Sequence, residues 1–140
     1  IRYPEPIVGL FIFNPKGELL LIKTHKWKGD YSVPGGHIEW GETILDALKR
    51  EAKEETNLDV VHPQFLCMFE YISDGTFYKQ KHMLFLNHRV ETASTDVVLN
   101  HEAEGYVWIT PSDALKTLPI EKYAKTTIEQ YLLVPISSQA

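Results

Sequence analysis

Cysteine is almost missing from this chain. Cys67 stands alone among 140 residues, so no disulfide can close within the chain, and a reducing setting such as the cytoplasm is the expected one. Its neighbours, from Phe65 to Phe69, mark Cys67 as a small core hydrophobe. Long apolar runs are also missing. No stretch approaches the roughly 20 residues needed to cross a bilayer, and Ile1-Arg2-Tyr3-Pro4 has neither the charged nor the apolar region of a secretory leader. No membrane association is therefore expected. An excess of positive charge is lacking as well: the net charge is −5, which argues against gripping extended nucleic acid by its backbone, since that takes a basic face. An acidic balance instead suits a site that binds cations. Low-complexity tracts, internal repeats and heptads are not seen.

What is present is ordinary globular composition, 44% apolar and 24% charged, at a length that encloses one core. The chain reads as one domain over 1–140, with 135–140 a loose tail. Ile7 to Phe13 and Glu18 to Thr24 flank the turn residues Asn14-Pro15-Lys16-Gly17 and predict a β-hairpin. His25 to Asp30 reads as a polar loop carrying Trp27, and Tyr31 to Gly36 as a short extended piece ending in Pro-Gly-Gly.

From Thr43 to Thr56 the pattern turns helical, with Ile44, Leu45, Leu48 and Ala52 as the expected buried side and Arg50, Glu51, Glu54 and Glu55 largely elsewhere. Asn57 suits the left-handed end. Leu58 to Ile72 and Phe77 to Val90 read as strands around a turn at Ser73-Asp74-Gly75-Thr76. Gly105 to Ile109 is a further strand, Pro111 to Leu115 a brief helix, and Ile120 to Leu133 a closing helix with Tyr123, Ile128, Tyr131 and Leu132 inward. The assembled expectation is α/β: a mixed sheet flanked by helices.

Chemistry concentrates in the centre. Gly36-His37-Ile38-Glu39-Trp40-Gly41-Glu42 is followed, seven residues on, by Arg50-Glu51-Ala52-Lys53-Glu54-Glu55-Thr56-Asn57-Leu58. Glu51, Glu54 and Glu55 stand at i, i+3, i+4, so their carboxylates project from neighbouring points of one helix and repel one another. A hard divalent cation with oxygen ligands offsets such repulsion. Three glutamates on an arbitrary helix usually mean only a solvated face. The glycine-rich approach and the Glu42-to-Arg50 separation set this helix apart.

The segment resembles the Nudix box: Gly, five residues, Glu, seven residues, Arg-Glu-aliphatic-any-Glu-Glu-any-Gly-aliphatic. Six identities (Gly36, Glu42, Arg50, Glu51, Glu54, Glu55) would coincide by chance on the order of once in 10⁷ placements. Only the second glycine departs, replaced by Asn57, the next-best residue for a left-handed cap.

The resemblance to the Nudix (MutT-like) hydrolases implies an α/β/α sandwich with a mixed central sheet. It implies Mg²⁺-dependent hydrolysis, with Mn²⁺ able to substitute, of the pyrophosphate in a nucleoside diphosphate linked to another moiety, by attack of water on phosphorus. Glu51, Glu54 and Glu55 would hold metal, aided by a backbone carbonyl of Gly35 or Gly36, with Gly35 preferred. Arg50 and Glu42 would brace the loop and helix. Glu54 is the first choice of general base, with Glu102 and Glu104 the alternatives on a later loop that reads as readily as a polar connection.

Substrate contacts are expected at Trp27, which offers a face to a nucleobase, at Lys28 through phosphate, and at His37 beside the box. Lys26 and Arg2 are further candidates for phosphate, and Trp40, Tyr71, Phe77 and Tyr78 for stacking. The other histidines show no metal-ligand spacing. Nucleoside triphosphates, nucleotide sugars, ADP-ribose and dinucleoside polyphosphates all stay open, because specificity lies in loops. The competing expectations are a non-catalytic nucleotide-sensing module of the same fold and a structural domain whose acidic helix is merely solvated. Related proteins are often homodimers.

Overall fold

The computed structural model of the protein describes residues 2–133. Its first strand, β1 (Glu5–Phe13), is buried at every position from Ile7 to Phe13, a continuous apolar run of the kind that a strand covered on both faces requires. Val8, Leu10 and Ile12 point to one face and meet Ala47, Leu48 and Ala52 of helix α1 (Ile44–Thr56). Phe11 and Phe13 point to the other, where they join Ala114 of α2 (Pro111–Thr117) and Ala124 of α3 (Lys122–Thr127). A sheet is thus held between two helical layers.

The remaining strands are β2 (Leu19–Lys23), β3 (Tyr31–Ser32), β4 (Gly35–His37), β5 (Val61–Ile72), β6 (His82–Glu91) and β7 (Gly105–Ile109). They run in the order β3-β2-β1-β6-β5, with β4 paired to β1 and β7 to β2. β1 and β6 are parallel, while the other strand pairs are antiparallel, so the sheet is mixed and the architecture is an α/β/α sandwich. One edge of β1 is shared: Phe13 pairs with Leu19 of β2, whereas Ile7, Val8 and Gly9 pair with His37, Gly36 and Gly35 of β4. That register lays the two glycines against the centre of the sheet.

Helix α1 starts where Thr43 accepts the Asp46 N–H at 3.1 Å and stops at Asn57, whose φ of 64° is left-handed and whose N–H reaches the Lys53 carbonyl. Its buried side differs from the expected one. Ile44 and Leu45 are each 42% exposed, and the buried stripe is Ala47, Leu48, Glu51, Ala52 and Glu55. The apolar part of that stripe packs on the sheet in the middle of the helix. One turn later the same stripe faces β4, and there it is carried by carboxylates.

Three other expectations shift. The connection between β5 and β6 takes up all of 73–81 rather than four residues, closed by Ser73 N–H to the Lys81 carbonyl at 2.9 Å and tethered to α3 by Tyr123 Oη donating to Asp74 at 2.7 Å. The closing helix begins at Lys122 because Glu121 is its cap, accepting the Ala124 N–H at 2.7 Å, and it ends in a wider turn over Ile128–Leu132 that buries Ile128 and Leu132 and leaves Tyr131 exposed. The supposed polar loop at 25–30 holds a single 3₁₀ turn, His25–Trp27, with Trp27 buried. Cys67 is free and buried, its Sγ 3.6 Å from the Thr127 hydroxyl. The tail expected at 135–140 lies outside the described residues.

Two outcomes follow from these caps. Asn57→Val forces a β-branched residue into the left-handed region and is expected to cost about 1–2 kcal/mol, with Asn57→Gly close to neutral; equal urea midpoints for all three proteins would remove the cap from its role. Glu121 is buried, and burial pushes its carboxyl from 4.5 up to about 7 against hydrogen bonds from Ala124 and Ser32. A folded-state pKa above the unfolded one means stability that is complete below about 4.5 and lost as pH rises through about 7. Between pH 4.5 and pH 8 the wild type should lose on the order of 3 kcal/mol that Glu121→Gln does not lose, read from urea denaturation at both pH values.

Candidate active site

Arg50 organises the first half of the site. Its Nε and Nη2 donate to the two carboxylate oxygens of Glu42 at 2.7 and 2.9 Å, Nη2 also donates to the His37 carbonyl at 2.9 Å, and Nη1 reaches Glu51 at 2.9 Å and Glu54 at 3.2 Å. A planar guanidinium suits this task because its donors fan out in a fixed fork. The pairing with Arg50 holds the Glu42 carboxyl down at about 2 and raises the Arg50 guanidinium further above its ordinary range. Glu42 also accepts the Glu39 N–H at 3.0 Å, so one carboxylate closes the turn before the helix and anchors the arginine.

The second half is a pair of buried carboxyls against a glycine floor. Glu51 and Glu55 are 8% and 7% exposed, and their side chains lie in hydrogen-bond contact. Burial comes first, then the Glu51 contact and the charges of Glu51 and Glu102, in pushing the Glu55 carboxyl well above the carboxylate range. The Gly35 N–H opposes this by donating to Glu55 at 2.9 Å. A Cβ on Gly36 would fall 2.3 Å from Glu51 Oε1, and one on Gly35 would fall 2.3 Å from the Val8 carbonyl. Gly36 admits no side chain while Glu51 keeps its place, and Gly35 admits none against the backbone of β1.

Such a site lacks positive charge on one side only. Arg50 serves Glu51 from the Glu42 side, and nothing cationic among the described residues is bonded to Glu55. Two carboxylates, a backbone strand and room for phosphate oxygens match the way Mg²⁺ is bound, with few protein ligands and several from water and substrate. Among the described residues no three acidic, histidine or cysteine side chains come together in a group that could hold a metal, so Glu51, Glu54 and Glu55 do not converge as one set of three ligands.

A cavity of about 270 Å³ opens beside this pair, bordered at one end by Gly35, Gly36, Glu55 and Glu102. Of the other residues singled out from the sequence, Trp27 and His37 border it too. Trp27 sits at the centre of an aromatic group with Tyr71, Phe77, Phe85 and Tyr123, while His37 Nε2 contacts Glu5 at 2.7 Å. Lys28 is not on the cavity wall; its ammonium donates to the Gly75 carbonyl. Lys26 is on the wall and lies 3.4 Å from Glu102. Glu104 is exposed, away from the cavity, with its N–H given to the Lys23 carbonyl. Glu54 is exposed beside Arg50, and Trp40 is fully exposed.

Sequence reasoning missed Ser32, Lys79, Lys81, Asn87, Glu121 and Tyr123, which all border the cavity. Asn87 carried a weak signal, a carboxamide directly after the apolar run Met83 to Leu86, and a polar group buried with such a strand is expected to have a partner. Lys79 and Lys81 carried none beyond a turn-like segment.

Comparison with known proteins agrees with this geometry. The model of the NUDIX domain family matches residues 4–131. The chain is 31% identical over 135 residues to the NAD-capped RNA hydrolase NudC of Stutzerimonas stutzeri, covering 94% of this chain and 46% of that protein. It is 30% identical over 130 residues to the nucleoside triphosphatase NudI of an Enterobacter species, covering 85% and 91%. It thus spans under half the length of NudC, and 36% of Nudix hydrolase 5 of Arabidopsis thaliana, to which it is 30% identical. The crystal structure of a MutT NUDIX hydrolase from Burkholderia pseudomallei superposes with a TM-score of 0.78 at 22% identity, covering 93% of this chain and 99% of that one. With its box, its sandwich and its paired carboxyls on a glycine floor, the chain belongs to the NUDIX domain family.

Proposed function

We propose that this chain is a Mg²⁺-dependent pyrophosphohydrolase acting on a small nucleotide derivative, a nucleoside diphosphate carrying a further group. The observation that supports this most is the pair Glu51 and Glu55, buried together next to a cavity that Glu55 borders, with no cation among the described residues bonded to Glu55. The names of the relatives point the same way, since both a nucleoside triphosphatase and an NAD-capped RNA hydrolase act on pyrophosphate linkages. A reducing compartment such as the cytoplasm suits the single free Cys67.

Glu51 and Glu55 would hold the cation with help from the Gly35 backbone, and Glu54 would join through water or substrate. A divalent cation bound there polarises phosphoryl oxygens and lowers the pKa of an attacking water. The residues of the chain do the rest. Arg50 fixes one oxygen of Glu51, and the Gly35 N–H fixes one oxygen of Glu55. Proton removal from water needs a carboxylate on the wall. Both candidates have a cation beside them, Lys26 at 3.4 Å from Glu102 and Arg50 at 3.2 Å from Glu54, but only Glu102 borders the cavity, so Glu102 is assigned as base ahead of Glu54. Lys26, Lys79 and Lys81 border the same space and supply positive charge for phosphates.

Adding millimolar Mg²⁺ or Mn²⁺ should raise the melting temperature of the wild type, since a ligand that binds only the folded state stabilises it. Glu55→Gln should abolish that rise, cut kcat by about 100-fold or more, and leave the metal-free protein at pH 8 at least as stable as wild type, because burial and Glu51 disfavour the ionised carboxyl at that place and the amide has no charge to bury. A variant that turns over nucleoside triphosphates at near-normal rates would contradict the assignment. Glu102→Gln should lower kcat by a similar factor while keeping the Mg²⁺ shift; loss of the shift there, or a larger rate defect in Glu54→Gln that spares the shift, would move the base to Glu54.

A further inference from the structure

The cavity wall holds a side chain whose hydrogen bonds leave one atom unmet. Asn87 lies on β6 with its carboxamide buried, 4% exposed. The orientation of that amide is fixed by its neighbours. Thr127 Oγ1 donates its hydrogen to the Tyr123 carbonyl at 2.8 Å, so the same oxygen can only accept, and it accepts from Asn87 Nδ2 at 3.0 Å. The second Nδ2 proton has Cys67 Sγ at 3.9 Å. Oδ1 is therefore turned to Gly9, where it receives no hydrogen bond from the described residues.

Gly9 is part of the same device. A Cβ there would fall 2.3 Å from Asn87 Oδ1, so the residue paired with Asn87 across the parallel strands has to be glycine for the acceptor to sit where it does. Both Gly9 and Asn87 border the cavity. Glu121 borders it as well, but its oxygens already accept from the Ser32 hydroxyl at 2.7 Å and the Ala124 N–H at 2.7 Å. Asn87 Oδ1, by contrast, accepts no hydrogen bond from the described residues and is open to whatever enters. Around it the wall is aromatic, with Trp27, Phe77, Phe85 and Tyr123, the lining that a planar ring packs against. Gly35, Gly36, Glu55 and Glu102 border the same cavity, and Gly35 pairs with the other edge of Gly9, one strand across from Asn87.

We propose that Asn87 is a specificity-determining residue whose Oδ1 accepts a hydrogen bond from the exocyclic amino group of a nucleobase seated in the aromatic end of the cavity. The ligand class follows from the polarity of that atom. Adenine, guanine and cytosine each carry an amino group that can donate to it. Uracil has a carbonyl oxygen where cytosine has its amino group, and an acceptor repels it, while hypoxanthine has only hydrogen on carbon where guanine has its amino group. A site built to hydrogen-bond a group rejects the analogue lacking it far more strongly than an apolar pocket rejects a lost methylene. The inference deepens the proposed pyrophosphohydrolase reading and takes from it the placement of phosphates at the acidic end.

The test uses matched pairs, CTP against UTP and GTP against ITP for turnover with Mg²⁺, and the corresponding nucleoside monophosphates for binding by titration calorimetry. At least one amino-bearing member should exceed its partner about tenfold or more in kcat/KM and in affinity, and Asn87→Leu should bring that ratio close to one while ITP and UTP gain relative to their partners. Gly9→Ala displaces Oδ1 without touching the amide chemistry and should shrink the same ratio, which covers the case of an Asn87 variant that does not fold. Turnover of both members of each pair at equal kcat/KM, or an Asn87→Leu protein that keeps the wild-type ratio, overturns the inference and leaves the hydrolase reading standing. Discriminating binding of monophosphates with no turnover of any triphosphate does the reverse. No binding and no turnover removes both.

Discussion

Two carboxyl groups held together out of water are the arrangement on which the molecule turns. Glu51 and Glu55 sit side by side, nearly buried, on the face of α1 that elsewhere carries alanine and leucine. Bringing like charges into a poorly solvated place is unfavourable unless a partner offsets it. Much of the surrounding structure reads as a response. Arg50 spreads one guanidinium over Glu42, Glu51, Glu54 and a backbone carbonyl, the Gly35 N–H meets Glu55, and the glycines of β4 yield the volume the carboxyls occupy. What is not offset is left toward the cavity, which is where a cation bridging to phosphate belongs.

Seen from that pair, the fold is a means of placement. The register of β1 with β4 puts Gly35 and Gly36 opposite Gly9 and Val8 at the middle of the sheet, and the packing of Leu48 and Ala52 on the same strand fixes the helix above them. The two halves of the box, a loop and a helix separated in sequence, are joined by Arg50 and Glu42 across eight positions. Rigid elements carry the charges, while loops close the cavity.

Much of this could be read from the residues. The box located the acidic helix, Thr43 and Asn57 marked its ends, and the strand at Gly105–Ile109 was legible from composition. The buried side of α1 was misjudged for a physical reason: periodicity weighs Ile44 and Leu45 as apolar, but the helix meets the sheet only from Ala47 onward, and the stripe then runs into carboxylates that hydropathy counts as solvent-facing. Tyr131 failed similarly, because a widened turn at Ile128–Leu132 breaks the period used to place it. The aromatic end of the cavity was hardest to foresee. Trp27, Phe77, Phe85, Asn87 and Tyr123 come from a 3₁₀ turn, a loop, a strand and a helix, so their convergence is a property of tertiary packing that no local pattern encodes.

The parallel partnership of β1 and β6 has a consequence for how the chain reaches this state during synthesis. Ile7 pairs with Phe85 and Phe13 with Glu91, so the strand made first waits through β2, β3, β4, α1 and β5 for its neighbour. Until then the backbone edge of β1 that β6 will occupy is unpaired, and a wholly apolar strand with an open edge is prone to pair with other chains. Closure over so long a separation is slow compared with the local hairpin of β5 and β6. A nascent chain of this protein is therefore most exposed to aggregation, and most in need of a chaperone, in the interval after α1 has left the ribosome and before β6 has.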